Sequence, residues 1–294
     1  KDLCRVIDLL KQRWEFAPNI EVTMECNPDT LTLQSLEEYR AIGINRISMG
    51  MQSANTNVLK VLDRTHNPDN VAMSVDNARK AGFDNVSLDL IYGTPGETLE
   101  QWEESVRTAL SYGIDHLSAY ALIIEDGTRL SAKIKRGEVA KPDDDLMAQM
   151  YLKVDELAAA AGLNWYELSN WGRAAEHNLV YWRNQNWWGL GPGAHSHLDG
   201  VRWWNVKHPS KYSEKLAAFE SPMQDREVLG EKEIEAEKIM LQIRLREGLA
   251  LSELSTSQIG ILESYPEEVL ITEQRAQLTP TGRLIADRIV RALI

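Results

Sequence analysis

The stretch Asn85-Val86-Ser87-Leu88-Asp89-Leu90-Ile91 is a short, mostly apolar run that predicts a buried β-strand. An amphipathic helix is predicted over 98–112, and a second strand-like run follows at 116–122. A strand, a helix and another strand in this order form the repeating unit of a parallel sheet. This part of the chain therefore predicts an α/β fold.

The same alternation continues towards the N-terminus. Helices are predicted over 2–15, 31–41 and 69–81, with strand-like runs at 21–26 and 46–50. Gly43, Gly82 and Gly113 close three of the helices, where a left-handed C-cap is expected. Because the strands are short and no glycine-rich phosphate loop opens a helix, we expect a full or partial (βα) barrel, not a Rossmann fold.

The C-terminal third has a different character. After a charged, loop-like region at 126–150, a helix over 145–161 leads to another strand end at 165–171. Further helices are predicted over 228–246, 251–257, 267–274 and 280–293. We expect two domains, a barrel over 1–210 and a smaller helical or winged-helix-like domain over 211–294. Since glutamates are as frequent there as arginines, we interpret it as a packing or lid domain.

Composition excludes several classes of function. The net charge is −12 and the isoelectric point is near 5.1, which argues against a nucleic-acid footprint. The sequence has no apolar run of membrane-spanning length and no signal peptide, so we expect a cytoplasmic location. Cys4 and Cys26 have no spacing typical of a disulfide framework or a metal site.

Polar residues stand at the end of each predicted strand. Glu25, Gln52, Asp89 and Tyr120 hold these positions in successive units. Each by itself fits a helix cap or turn residue. In parallel barrels, however, ligands bind at the carboxyl ends of the strands. Four such residues in succession therefore favour an open polar mouth.

The segment 177–197 combines three histidines with three tryptophans and several glycines. Imidazole nitrogens bind metals or heme iron, and tryptophan faces suit a planar ligand. A packed aromatic core would give the same composition. From the residues alone, a ligand site and a core remain equally open.

Four motifs resemble those of radical SAM proteins, in particular the oxygen-independent coproporphyrinogen III oxidase group. They occur in the family's order: Glu25-Cys26-Asn27-Pro28, the segment 47–53, Leu88-Asp89-Leu90-Ile91-Tyr92-Gly93-Thr94-Pro95-Gly96-Glu97-Thr98 and Tyr166-Glu167-Leu168-Ser169-Asn170. His177-Asn178-Leu179-Val180-Tyr181-Trp182 is similar to the HNxxYW signature of the group's heme chaperone branch.

The resemblance implies two sets of binding residues. For S-adenosylmethionine, the matching positions are Glu25, Gln52, Arg64, Asp89 and Ile123. For heme, His177 is the candidate axial ligand, with Tyr181, Trp182 and the loop that ends at His195 as walls, and His195 and His197 as competing ligands.

This sequence departs from the family's pattern at the motif that binds the iron–sulfur cluster. The family's CxxxCxxC motif, which holds a 4Fe-4S cluster, is absent from this sequence, as is the family's glycine-rich turn. The resemblance places both upstream of Lys1, so we expect this chain to be part of a longer protein that binds a 4Fe-4S cluster and S-adenosylmethionine. In this form it should not cleave S-adenosylmethionine.

Three functions follow as hypotheses. The first is a heme chaperone that passes heme to an acceptor protein, with membrane association only through that acceptor. The second is an oxygen-independent coproporphyrinogen III oxidase, a decarboxylase of heme biosynthesis; the HNxxYW segment disfavours it. The third is a metal-dependent barrel hydrolase using His195 and Asp89, which is weakened because no carboxylate accompanies His195-Ser196-His197.

Overall fold

The computed structural model describes residues 2–64 and 67–294. Contacts divide the chain into two compact units, Lys1–Ala174 and Ala175–Ile294. The sequence predicts a division near residue 210 instead. The structure groups 175–210 with the C-terminal residues because the strands at His195–Leu198 and Val201–Asn205 form a sheet with Met223–Val228.

The N-terminal unit is built on a six-stranded sheet in the order β1-β2-β3-β4-β6-β5. Neighbours among the first four strands are parallel, and β6 is antiparallel to both β4 and β5. The strands are β1 (Thr23–Cys26), β2 (Arg46–Gln52), β3 (Val86–Tyr92), β4 (His116–Ala121), β5 (Trp165–Glu167) and β6 (Asn170–Gly172). This arrangement confirms the predicted parallel α/β fold, and it resolves the predicted strand end at 165–171 into a hairpin.

Seven helices are described in this unit: α1 (Asp2–Arg13), α2 (Leu33–Ile42), α3 (Thr56–Val61), α4 (Pro68–Lys80), α5 (Leu99–Ser111), α6 (Arg129–Lys135) and α7 (Asp144–Ala160). Local sequence explains their ends. Thr32 and Thr98 form capping boxes at the starts of α2 and α5, and Gly43 ends α2 in the left-handed conformation.

The two faces of the sheet have different chemistry. Ile47, Met49, Leu88 and Leu117 are fully buried in a core that also contains Trp102 of α5, together with other helix residues. Because strand side chains alternate between faces, the intervening Ser48, Asp89 and Ser118 lie on the opposite face. Polar residues are thereby collected on one side of the sheet.

The C-terminal unit contains two antiparallel three-stranded sheets, in the orders β7-β8-β9 and β10-β12-β11. Its strands are β7 (His195–Leu198), β8 (Val201–Asn205), β9 (Met223–Val228), β10 (Leu249–Ala250), β11 (Val269–Ile271) and β12 (Arg275–Leu278). Its helices are α8 (Glu176–Trp182), α9 (Pro209–Ala217), α10 (Glu231–Gln242), α11 (Thr256–Glu263), α12 (Pro280–Leu284) and α13 (Ala286–Leu293).

Two predicted helices are wrong. Most of 251–257 forms a short 3-10 turn and the start of α11, and 267–274 contains strand β11. Glutamates favour helix in this region, but Val269 and Ile271 are β-branched and pair with β12 in a hairpin. The helix predicted from 228 begins only at Glu231, after the exposed strand β9.

Among the described helices, none combines the length and the apolar character that a bilayer crossing requires. The cytoplasmic location stays a prediction from sequence.

Candidate functional site

A cavity of ≈ 370 Å³ lies at the carboxyl ends of β1, β2 and β3. It is within the size range of small-molecule sites. Four residues predicted for the S-adenosylmethionine site line it: Glu25, Gln52, Arg64 and Asp89. Its other lining residues are Cys26, Asn27, Pro28, Ser48, Gly50 and Asp63. The cavity thus brings together three carboxylates, two amides and a guanidinium from separate parts of the sequence.

A bulge in β2 shapes one wall of this cavity. The register with β3 shifts between Gly50 and Gln52, and Gln52 has a φ of 64°, an unusual conformation for a residue with a side chain. A Cβ at Gly50 would come within 2.6 Å of the Gln52 Nε2 atom, so glycine makes room for this amide. Such backbone strain is commonly found at functional sites.

Asp89 is held by hydroxyl groups on neighbouring strands. The Ser48 Oγ atom is 3.2 Å and 3.3 Å from the two Asp89 carboxylate oxygens, and Ser118 of β4 also hydrogen-bonds the carboxylate. Burial is the largest effect and raises the pKa of Asp89 above its ordinary value. The hydrogen bonds from Ser118 and Ser48 and the nearby Arg46 guanidinium act in the opposite direction. The carboxylate therefore has a fixed position in the cavity wall.

Two of the predicted polar-mouth and cofactor positions are not among the cavity's lining residues. Ile123 follows β4 and is 78% exposed, and Tyr120 near the end of β4 is also exposed. The remaining lining residues, such as Ser48 and Gly50, were not singled out from sequence. Only their place on alternate positions of β2 could have indicated that they share a face with Asp89.

In the C-terminal unit, helix α8 carries the HNxxYW residues. His177 and Tyr181 are four residues apart and so lie on the same helix face. The Tyr181 hydroxyl is 2.8 Å from the His177 Nε2 atom, and their rings meet edge-on with centroids 5.0 Å apart. Trp182 is the last residue of α8, half-buried, and makes no ring contact within the described residues.

Further aromatic contacts continue from the pair His177 and Tyr181. Tyr181 contacts Trp187, and Trp187 contacts His197 of β7, each with ring centroids 4.9 Å apart. Trp187 and His197 also exchange backbone hydrogen bonds of 2.9 Å and 3.0 Å. We call the series His177, Tyr181, Trp187 and His197 the aromatic ladder. It joins α8 to the β7-β8-β9 sheet.

His195 lies on the same face of this sheet as His197, because the two are separated by one residue in β7. Its ring stacks on Trp204 of β8, with centroids 5.7 Å apart and planes 27° from parallel. The face with His195, His197 and Trp204 therefore presents imidazole and flat aromatic surface together. Trp188 of the preceding loop is 66% accessible but packs on Trp203, whose side chain lies on the opposite face of the sheet.

Comparison with known proteins places these features in a family. The Radical SAM superfamily model matches residues 1–109. A heme chaperone HemW from Mycobacterium tuberculosis is 43% identical over 99% of this chain and 76% of its own length. A heme chaperone HemW from Bacillus subtilis is 33% identical over 93% of this chain and 76% of its own length.

The chain belongs to the HemW family of radical SAM proteins. The radical SAM match covers β1 to β3 and hence the cavity of this HemW family member. Its fold is also similar to the solved structure of coproporphyrinogen III oxidase (HemN) from Escherichia coli, a radical SAM enzyme. That likeness has a TM-score of 0.82 at 20% identity, covers 99% of this chain and 73% of the other, and shows the shared fold alone.

Proposed function

We propose that this protein is a heme chaperone, which binds heme on its C-terminal unit and transfers it to an acceptor protein. The observation that carries the proposal is the sheet face with His195, Trp204 and the aromatic ladder. Imidazole is an axial ligand of heme iron in many proteins, and aromatic faces suit a planar macrocycle. The names of the HemW relatives support the same function.

Within this proposal, His177, Tyr181, Trp182 and His195 form the heme site. His177 and Tyr181 are coupled through their hydrogen bond, and His195 stands on the sheet face that the ladder reaches. The stacked ring of Trp204 supplies the flat aromatic surface beside His195.

The cavity of the N-terminal unit fits S-adenosylmethionine. A carboxylate such as Glu25 suits an ammonium group, Arg64 suits a carboxylate, and Gln52 or Asp89 suits ribose hydroxyls. When bound, S-adenosylmethionine would supply a sulfonium C–S bond that can be cleaved by one-electron reduction. The chain's own groups would orient it through these polar contacts.

The residues of this chain do not fit a 4Fe-4S cluster. Its cysteines are Cys4 and Cys26, in α1 and β1, and the described residues contain no group of three or more His, Cys, Asp or Glu side chains that could hold a metal ion. The Cys26 thiol has a pKa raised to about 11 by burial and by Glu25, which disfavours the thiolate that binds iron.

The experiment is a titration of the protein with ferric heme, followed by the Soret absorbance, beside an anaerobic assay of coproporphyrinogen III decarboxylation. We expect stoichiometric heme binding without decarboxylation. Turnover of the porphyrinogen without stable heme binding would instead favour the oxidase hypothesis. The identity of the acceptor would be sought afterwards with the heme-loaded protein.

A further inference from the structure

The three histidines of the C-terminal aromatic region differ in whether a ring nitrogen is open to a ligand. His197 is 4% exposed, its Nδ1 atom lies 3.2 Å from the carbonyl oxygen of Gln185, and its Nε2 atom is buried. Heme iron cannot reach a nitrogen enclosed in this way without displacement of Trp187, which packs on the ring. His197 is therefore a structural part of the ladder.

His177 is exposed, but its Nε2 atom is occupied by Tyr181 at 2.8 Å. If the tyrosine donates, the lone pair of Nε2 is used; if Nε2 carries the proton, it has no lone pair for iron. The Nδ1 atom is bonded to the ring carbon that carries Cβ, so it is more crowded for a porphyrin than Nε2. His177 can ligate iron through Nε2 only after the hydrogen bond to Tyr181 breaks.

His195 differs from both. It is exposed, its ring rests on Trp204, and within the described residues neither ring nitrogen has a hydrogen-bond partner. The tryptophan holds the imidazole without using a nitrogen, so the ring is oriented and still free to bind. His195 and His197 are two steps apart along β7, which separates their Cα atoms by about 7 Å. His195 is therefore close to the end of the ladder.

We propose that His195 is the first ligand to the incoming heme iron, and that His177 binds the iron afterwards, when Tyr181 releases its Nε2 atom. Loading thus depends on His195 and retention on His177. This inference rests on the proposed heme-binding function and adds an order of ligation to it. The step needs no redox change: the iron exchanges the His195 nitrogen for the His177 Nε2 atom, and the tyrosine hydroxyl turns to solvent. A proton on Nε2 moves to the Nδ1 atom of the same ring, so that Nε2 offers its lone pair.

The test is rapid mixing of ferric heme with the wild-type protein and single variants, with association and release followed by the Soret absorbance. His195→Ala should slow association by about tenfold or more, as expected for loss of an iron ligand. His177→Ala should associate at the wild-type rate and release heme about tenfold faster or more. His208→Ala is the matched control, since His208 is exposed in the same unit and its side chain caps no helix.

A rescue variant separates this order of ligation from general damage to the site. Tyr181→Phe removes the hydroxyl group that contacts the His177 Nε2 atom, so the double variant His195→Ala/Tyr181→Phe should regain fast association. Association of His195→Ala at the wild-type rate, or slowed association in His177→Ala alone, would overturn the inference. Absence of any Soret change in the wild-type protein would instead overturn the proposed function itself.

Discussion

Glu97 follows β3 in the loop before α5, and its side chain is 4% exposed. Burial raises its pKa to about 7, although the backbone amides of Thr94 and Gly93 donate to the carboxylate and lower it. The sequence could not show this, because a glutamate next to a helix N-terminus is usually solvated. The residue gives the loop a carboxyl group that titrates near neutrality.

The consequence at the residue scale is a pH-dependent stability. Between pH 4.5 and 7, Glu97 is ionised in the unfolded chain and protonated in the folded chain. The contribution of Glu97 to the free energy of unfolding is therefore complete below pH 4.5 and is lost as the pH rises through 7. Relative to Glu97→Gln, the wild-type free energy of unfolding should fall by up to about 3 kcal/mol across this window. Urea unfolding of both proteins at pH 5 and pH 8 measures the difference; parallel pH profiles would refute it.

Gln52 offers a second prediction at this scale. Its left-handed conformation costs about 1–2 kcal/mol, and a glycine there would recover part of this while losing chain entropy. Gln52→Gly should therefore change the stability by less than about 1 kcal/mol. It should nevertheless weaken S-adenosylmethionine binding, measured by calorimetric titration, because the amide that lines the cavity is removed.

Asn184→Gly is the matched control for Gln52→Gly. Asn184 has a φ of 53° and lies in the C-terminal unit, so the substitution gives similar strain relief without touching the cavity. Equal S-adenosylmethionine affinities of the two variants would show that the Gln52 side chain does not contact the ligand.

The close packing of the loop before strand β7 requires a glycine at position 189. A Cβ at Gly189 would collide with the carbonyl oxygen of His195, and the Gly189 amide also donates to the Ser196 hydroxyl at 2.9 Å. Gly189→Ala should destabilise the protein by about 1–3 kcal/mol through overpacking and should weaken heme binding with it. Thermal unfolding and the Soret titration measure the two effects.

Gly260 provides the contrast. It lies inside α11 with open space where a Cβ would stand. Gly260→Ala should stabilise the helix by up to about 1 kcal/mol and leave heme binding unchanged. Equal unfolding temperatures for the Gly189 and Gly260 variants would contradict the close approach seen at Gly189.

Sequence patterns predicted the N-terminal elements well. The boundaries of α1, α2, α4, α5 and α7 agree with prediction to within two residues, since amphipathic spacing, caps and closing glycines are local signals. The pairing of β11 with β12 depends on tertiary contacts, so the helix prediction over 267–274 failed.

In the candidate site too, local sequence signals were predictive and contacts between distant segments were not. Polar strand ends predicted Glu25, Gln52 and Asp89, because parallel strands bring their carboxyl ends together, and the family resemblance added Arg64; all four line the cavity. The bulge at Gln52 and the contact between Trp187 and His197 arise from packing between distant segments, and no local pattern marks them.

The net charge of the whole chain has the same sign as the charge of the heme propionates. The chain has a net charge of −12, and heme carries two propionates that are anionic near neutral pH. Like charges slow encounter, and salt screens them over about 10 Å at 0.1 M. The association rate of heme should therefore rise severalfold as salt is added. A rate that falls with salt would indicate a local basic steering surface instead.

The proposed function requires that heme binds the C-terminal unit and not the radical SAM cavity. A pair of Soret titrations with ferric heme, on His177→Ala and on Glu25→Ala, each compared with the wild-type protein, separates the two sites. We predict that His177→Ala loses most of the heme affinity while Glu25→Ala keeps it. Equal losses in the two variants would contradict the assignment of the heme site.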